Sequence, residues 1–296
     1  MTDMEHPAAT LTREGMIQQE IQLLLNQATP ERRGIFEKLQ EKQWFQQTDP
    51  SIQKALLTLP SHGQENHDGF LDDLARRPEE VANIKVERMI DLPHGSFALV
   101  PKFEVSRLDN PSMRYTYEYV SWRTGPLSGA KGVVFVEKDG QTTHFIVLRG
   151  DKFAPGKPVW DTVGGFIDLN ADGVTHLDER VVHEIHEELG GNDITINNVV
   201  SLGKVLPDAG MTNNEPSLFA AFIGSGDLSR LSAYPVNPDI YELKSGAVIF
   251  PIEQLPDVVM ENSDGYFLST IARAWAKGII APPHTLIGTS VGFSPN

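Results

Sequence analysis

The sequence predicts an α/β protein, an α/β/α sandwich around a mixed sheet preceded by a helical region. Three observations carry this. Residues 1–84 space their apolar positions at helical intervals. Near Ile84 the pattern changes to the alternation of strands. Further along, an amphipathic helix rich in glutamate and a last helix are set among more strands, which layers helices against a sheet.

In the helical region, Thr29-Pro30-Glu31 and Asp49-Pro50-Ser51 each read as an N-cap followed by proline at the first helical position. Ile17, Ile21, Leu23 and Leu24 fall at helical spacing, as do Ile35, Leu39 and Phe45, and then Ile52, Ala55 and Leu56. Leu71 and Leu74 before Arg76-Arg77-Pro78 suggest another short helix, and Leu59 to Gln64 a loop. The strand candidates are Phe97 to Val100, Lys102 to Ser106 and Tyr115 to Val120, with a turn at Asp109-Asn110-Pro111. Gly132 to Val136 and His144 to Leu148 flank Lys138-Asp139-Gly140, a hairpin signal. Later strands are expected near Val199 to Val205, Leu218 to Phe222 and Ala247 to Phe250. The last helix is expected from Gly265 to Lys277 with Phe267, Ile271, Ala274 and Trp275 on one face.

The chain of 296 residues suffices for one large or two modest domains. A formal charge of −15 without any basic cluster argues against sequence-independent nucleic-acid binding. Cysteine is absent, which excludes disulfides, thiolate catalysis and thiolate metal sites. Met1 to Thr12 is polar and acidic rather than a signal peptide, and no stretch has the length of a membrane span, so no membrane partner is expected and the cytoplasm is the default location.

The segment with the most chemistry is His183-Glu184-Ile185-His186-Glu187-Glu188-Leu189-Gly190. At about 100° per residue, Leu177, Val181, Ile185 and Leu189 make one apolar stripe. Glu184, Glu187 and Glu188 fall on the neighbouring face, where three like charges destabilise the helix unless a cation sits among them. Oxygen donors of this kind suit Mg²⁺, although a run of glutamates on a helix is more often simply a solvated face. His183 and His186 miss the H-E-x-x-H spacing of a zinc helix by one residue. Upstream, Trp160 to Asp168 holds Gly164-Gly165 between an apolar strand and a loop, where the backbone can approach a ligand.

Together these two segments resemble the Nudix hydrolase signature, G-x5-E-x7-R-E-U-x-E-E-x-G-U, with Trp160 to Gly165 as its lead-in and His183 to Gly190 as its helical half. The resemblance covers residues 85–285. There are departures. His183 stands at the signature arginine, and nineteen positions separate Gly165 from Glu184 where the family has fifteen. The first signature glutamate has no clear counterpart, with Asp172, Asp178 and Glu179 nearby and Arg180 one turn before Glu184 on the same face.

Within the family the chain looks most like the ADP-ribose pyrophosphatase branch. Pro207 falls at the branch's proline position, and Asp208 to Glu215 is similar to its substrate loop. Tyr119 to Gly125 is similar to a stretch whose arginine contacts substrate, and Phe250 to Leu255 to a C-terminal family element. The resemblance implies a Nudix-type sandwich in residues 126–296, a small antiparallel sheet in 85–125 that often serves dimerisation, and an accessory helical region in 1–84. It implies Mg²⁺ (Mn²⁺ as substitute) held by Glu184, Glu187, Glu188 and the Gly165 carbonyl, with the three glutamates catalytic. It also implies a nucleotide substrate contacted by Arg123, Arg149, Glu215 and Gly164, and a homodimer. Asp239 and Glu242 lie where some branches carry the general base. The expected reaction is hydrolysis of ADP-ribose or an ADP-sugar to AMP and a sugar phosphate. The alternatives are a Nudix-like protein that senses a nucleotide without turnover, and a hydrolase of another nucleoside diphosphate derivative such as a dinucleotide.

Overall fold

The computed structural model describes residues 12–60, 68–96, 98–123, 125–126, 129–152, 154–165, 177–189, 193–231 and 244–281. The chain divides into two compact units, residues 1–126 with 208–214, and residues 127–207 with 215–296.

The first unit begins with helices α1 (Arg13–Gln27), α2 (Pro30–Gln40), α3 (Gln43–Gln46), α4 (Pro50–Leu57) and α5 (Gly69–Arg76). Thr29 caps α2 by accepting the Arg32 N–H, and Asp49 caps α4 by accepting the Ser51 N–H, each with proline at the first helical position. The strands follow: β1 (Glu80–Val81), β2 (Ile84–Asp91), β3 (Ala98–Leu99), β4 (Lys102–Arg107), β5 (Arg114–Glu118) and β6 (Ser121–Trp122). β1-β2-β4-β5 form an antiparallel sheet, and β3 pairs with β6.

Helices and sheet share one core. Phe36, Leu39, Trp44, Phe45, Leu56 and Leu74 are buried in the same cluster as Met89, Phe103, Val105 and Tyr119. Trp44 meets Phe103 edge-on, ring centroids 5.5 Å apart. The helical region and the small sheet therefore bury their apolar faces against each other. The aromatic face of the small sheet, the element the resemblance links to dimerisation, is in large part covered by the chain's own helices; Tyr115 remains exposed. The segment 208–214 closes the unit. Asp208 organises its turn by accepting the Gly210 N–H at 2.9 Å, and the Val120 N–H reaches the Met211 carbonyl at 2.8 Å.

The second unit contains β7 (Ala130–Lys138), β8 (Gln141–Lys152), β9 (Lys157–Asp161), α6 (Leu177–Leu189), β10 (Ile196–Lys204), β11 (Ser217–Gly224), α7 (Leu228–Leu231), β12 (Lys244–Pro251), α8 (Leu255–Glu261) and α9 (Gly265–Ala276). The sheet order is β10-β11-β7-β8-β12, with β9 also on β8. β7 and β11 run parallel and the other pairs antiparallel, so the sheet is mixed. Asp139 and Gly140 both take positive φ (51° and 75°) in the tight β7–β8 hairpin, as its sequence predicts.

Strand alternation then sorts the core into two layers. Val134, Val136, Ile146, Leu148, Phe219 and Ala221 pack with Val181, Ile185 and Leu189 of α6. Val133, Phe135, Phe145, Val147, Leu218 and Ala220 face the other way and pack with Phe267, Ile271 and Ala274 of α9. The result is an α/β/α sandwich around a mixed sheet, and its middle strands are buried on both faces, which explains their continuous apolar runs. Among the described residues no helix is long and apolar enough to cross a membrane.

Candidate functional site

The glutamates of α6 are positioned by the burial of its apolar stripe. Val181, Ile185 and Leu189 are 0, 0 and 2% exposed, and this fixes the rotation of the helix on the sheet. Glu184, one residue before Ile185, is carried to the edge of that buried face and is 4% exposed. It faces the segment that leaves β9. That segment is held to β7 by paired bonds between Gly132 and Val163, N to O at 2.9 and 3.0 Å, and by the Ala130 N–H on the Gly165 carbonyl at 3.1 Å.

The two glycines are required by space. Gly164 has φ 131°, and a Cβ there would lie 2.0 Å from the Ala130 carbonyl oxygen. A Cβ on Gly165 would lie 2.6 and 2.7 Å from the two carboxylate oxygens of Glu184. Glu188, one turn further along α6, accepts the Gly164 N–H at 2.7 Å. The two sequence segments thus meet directly, with glutamates closing on the glycine pair.

Charge at this junction is compensated from within the chain. Arg180, 8% exposed, forms an ion pair with Glu184 one helical turn away. Lys131 of β7 donates to the Gly164 carbonyl at 2.7 Å. Even so, Glu184 is pushed up to about 7, because burial disfavours its charge and Glu188 and Glu187 repel it, while Arg180 and Lys131 only partly offset this. Asp161 at the end of β9 behaves oppositely. Burial raises its pKa, but Lys131, Lys152 and the Thr162 N–H together hold it below the usual carboxylate range. Lys152 lies 2.7 Å from it.

Glu187 points elsewhere. It is half exposed and 3.2 Å from His183 Nδ1. His186 contacts the Ile194 carbonyl at 3.0 Å, so it ties the helix end to the following segment. Among the described residues no three acidic or histidine side chains converge as a ready metal set. The donor chemistry still fits a hard cation: two carboxylates face the loop, and Glu187 is an exposed side chain on the adjacent turn. The Gly164 and Gly165 carbonyls each already accept one hydrogen bond, leaving a second lone pair.

The remaining sequence candidates are dispersed. Arg123 lies in the first unit and ties loops together. Its Nη1 donates to the Pro60 carbonyl at 3.1 Å, and its Nε and Nη2 to the Gly95 carbonyl at 3.2 and 2.7 Å. Arg149 is exposed on β8, and Glu215 is half-buried just before β11. Asp172, Asp239 and Glu242, and the side chain of Asp178, lie outside the described residues. Glu179 is exposed. Arg180, which the sequence places one turn before Glu184 on the same face, is at the site with Glu184 as its partner. Lys131 was not singled out from sequence. Its signal was a lone lysine among the small and apolar residues that open β7.

No family model matches the chain, and no curated protein matches it. The chain is similar to a solved structure described as an ADP compounds hydrolase, with 15% sequence identity, a TM-score of 0.49, and coverage of 68% of this chain and 98% of that one.

Proposed function

We propose that the chain is a Nudix-type hydrolase acting on a nucleoside diphosphate linked to a second moiety, with ADP-ribose or an ADP-sugar as substrate and Mg²⁺, replaceable by Mn²⁺, as cofactor. The supporting observation is the junction of α6 with the glycine pair: Glu188 on the Gly164 N–H at 2.7 Å, and Glu184 against the only face of Gly165 that a side chain would fill. Glu184 and Glu188 would hold the metal with Glu187 completing the set from its exposed position. A Mg²⁺ held there would supply charge neutralisation for diphosphate oxygens and a water of lowered pKa. The absence of side chains on the glycine pair lets the Glu184 and Glu188 carboxylates close on the loop backbone. Arg149 and Glu215, both in the second unit, are the residues assigned to orient the substrate. Arg123 is not assigned a contact, because its guanidinium is spent on the Pro60 and Gly95 carbonyls.

A second reading is favoured by one specific feature. Arg180 and Lys131 supply cations to Glu184 and Gly164 without any metal, as a nucleotide sensor that does not turn over would. Release of AMP from ADP-ribose separates the two. Mg²⁺-dependent release, lost in Glu187→Gln or Glu188→Gln and faster than turnover of nucleoside triphosphates, is the expected result. Binding of ADP-ribose with no AMP formed favours the sensor, and preference for a triphosphate overturns the substrate class.

A further inference from the structure

The first unit contains a cavity of about 260 Å³ between its helices and its sheet, built entirely from residues of that unit. Its walls are flat. Trp44 and Phe103 meet edge-on, Phe103 stacks on Tyr119 with rings 6.4 Å apart and nearly parallel, and Tyr117 lies 6.5 Å from Tyr119. Val86 is among the aliphatic residues that complete the lining.

Arg77 is the charged residue in this lining. Its guanidinium lies 4.8 Å from the centre of the Tyr119 ring, and its Nε donates to Asp73 at 2.7 Å. Asp73 is itself fixed by Asn213 at 3.1 Å. One face and one edge of the guanidinium are thereby set, while its two η nitrogens have no hydrogen-bond partner among the described residues. A guanidinium fork held rigid with its outer donors unspent is suited to a planar acceptor pair such as a carboxylate. The Tyr119 hydroxyl is a second unspent donor. The residue is 6% exposed, and the hydroxyl has no partner among the described residues. Leaving such a group unpaired costs on the order of 1–3 kcal/mol. The Lys42 ammonium donates to the Arg77 carbonyl at 3.0 Å, which holds the backbone of that residue.

We propose that this cavity is a binding site for a small flat aromatic carboxylate, with the ring between the aromatic walls and the carboxylate on Arg77. The proposal is independent of the chemistry assigned to the second unit. It explains why an aromatic cavity of this size is kept open beside an arginine whose η nitrogens bond no described residue. Packing alone would favour filling it.

The test is titration of the full chain with 2-naphthoate, followed by calorimetry, with 2-naphthamide and cyclohexanecarboxylate as comparisons. Saturable binding of naphthoate is expected, with both comparison compounds roughly tenfold weaker or worse, as loss of one charged hydrogen-bond pair or of ring stacking requires. Arg77→Gln should weaken naphthoate by a similar factor. Val81→Trp should abolish binding by filling the cavity, since Val81 lines it yet is 55% exposed and tolerates a larger side chain. Should Arg77→Gln fail to unfold cooperatively, Val81→Trp decides alone. No saturable naphthoate binding to the parent chain, or unchanged binding in Val81→Trp, overturns the site. Equal binding of the amide overturns the carboxylate, and equal binding of the cyclohexane acid overturns the aromatic requirement.

Discussion

Gly165 and Glu184 are tied together by a separation that only glycine permits. An added Cβ would lie 2.6 Å from one carboxylate oxygen of Glu184 and 2.9 Å from its carboxyl carbon. Glu184 cannot easily yield, because it is buried and paired with Arg180. Gly165→Ala should therefore destabilise the second unit by about 1–3 kcal/mol, an overpacking effect. A melting point within a degree of the parent would contradict the placement of Glu184. The same carboxylate sets a pH dependence. Its folded pKa, about 7, lies above its ordinary value of 4.5. A raised folded pKa means that the folded state binds the proton more tightly. The associated stability is present in full below about 4.5 and is lost as pH rises through about 7. In chelator-containing buffer, the melting point of the parent relative to Glu184→Gln should therefore fall between pH 5 and pH 8. A difference that stays flat across this range would show that Glu184 is not perturbed as described.

At the scale of elements, α6 brings the Glu184 and Glu188 carboxylates to the glycine pair, and the metal proposed there would relieve their repulsion. If Glu184, Glu187 and Glu188 hold a divalent cation, binding to the folded state alone stabilises it by mass action. Millimolar Mg²⁺ or Mn²⁺ should raise the melting temperature, more at pH 8 than at pH 6 because the proton on Glu184 competes with the metal. Glu188→Gln should blunt the rise. Equal melting curves with and without metal in both proteins would remove the metal assignment. Much of this helix was legible beforehand, since one stripe of Val181, Ile185 and Leu189 determines where Glu184 must go. The helix starts at Pro30 and Pro50 were equally legible, because a capping oxygen and a proline act within a few residues. What escaped was set at long range. β2 from Ile84 to Asp91 carries Lys85, Glu87, Arg88 and Asp91 among its apolar residues, and its partners Phe103 and Val105 lie far along the chain. The bracing of Val120 by residues 208–214 is likewise invisible locally. The Asp208 to Glu215 stretch resembled a substrate loop, and the structure divides it, with 208–214 built into the first unit and Glu215 in the second. Lys131 showed only as a lone lysine among apolar neighbours, and its role could not be read because it depends on a carbonyl thirty-three residues away.

On the scale of the whole molecule, the boundary read from periodicity and the boundary of packing differ. Periodicity changes near Ile84, and an accessory helical region in residues 1–84 would leave a chain beginning near Val81 folded without its helices. The packing leads to the opposite expectation. Such a truncation removes Phe36, Leu39, Trp44, Phe45, Leu56, Phe70 and Leu74 from the cluster that also holds Met89, Phe103, Val105 and Tyr119. It also removes the Thr48 hydroxyl that accepts the Met89 N–H at 2.9 Å. The strands left behind would expose Phe103 and Tyr119, which are each 6% exposed in the full chain, on a sheet face with nothing to cover it. Burial of one large apolar side chain contributes roughly 1.5–3 kcal/mol, so losing several partners exceeds the net stability of a small unit. A chain starting at Val81 should then be insoluble, or should bind a hydrophobic dye and lack a cooperative transition for its first unit. A chain starting at Thr12 keeps every described residue of that core and should melt as the full protein does. If the Val81 chain instead remains soluble and unfolds in one cooperative step with the parent's melting temperature, the helices add nothing to the sheet's stability, and the shared core is not what holds the first unit together.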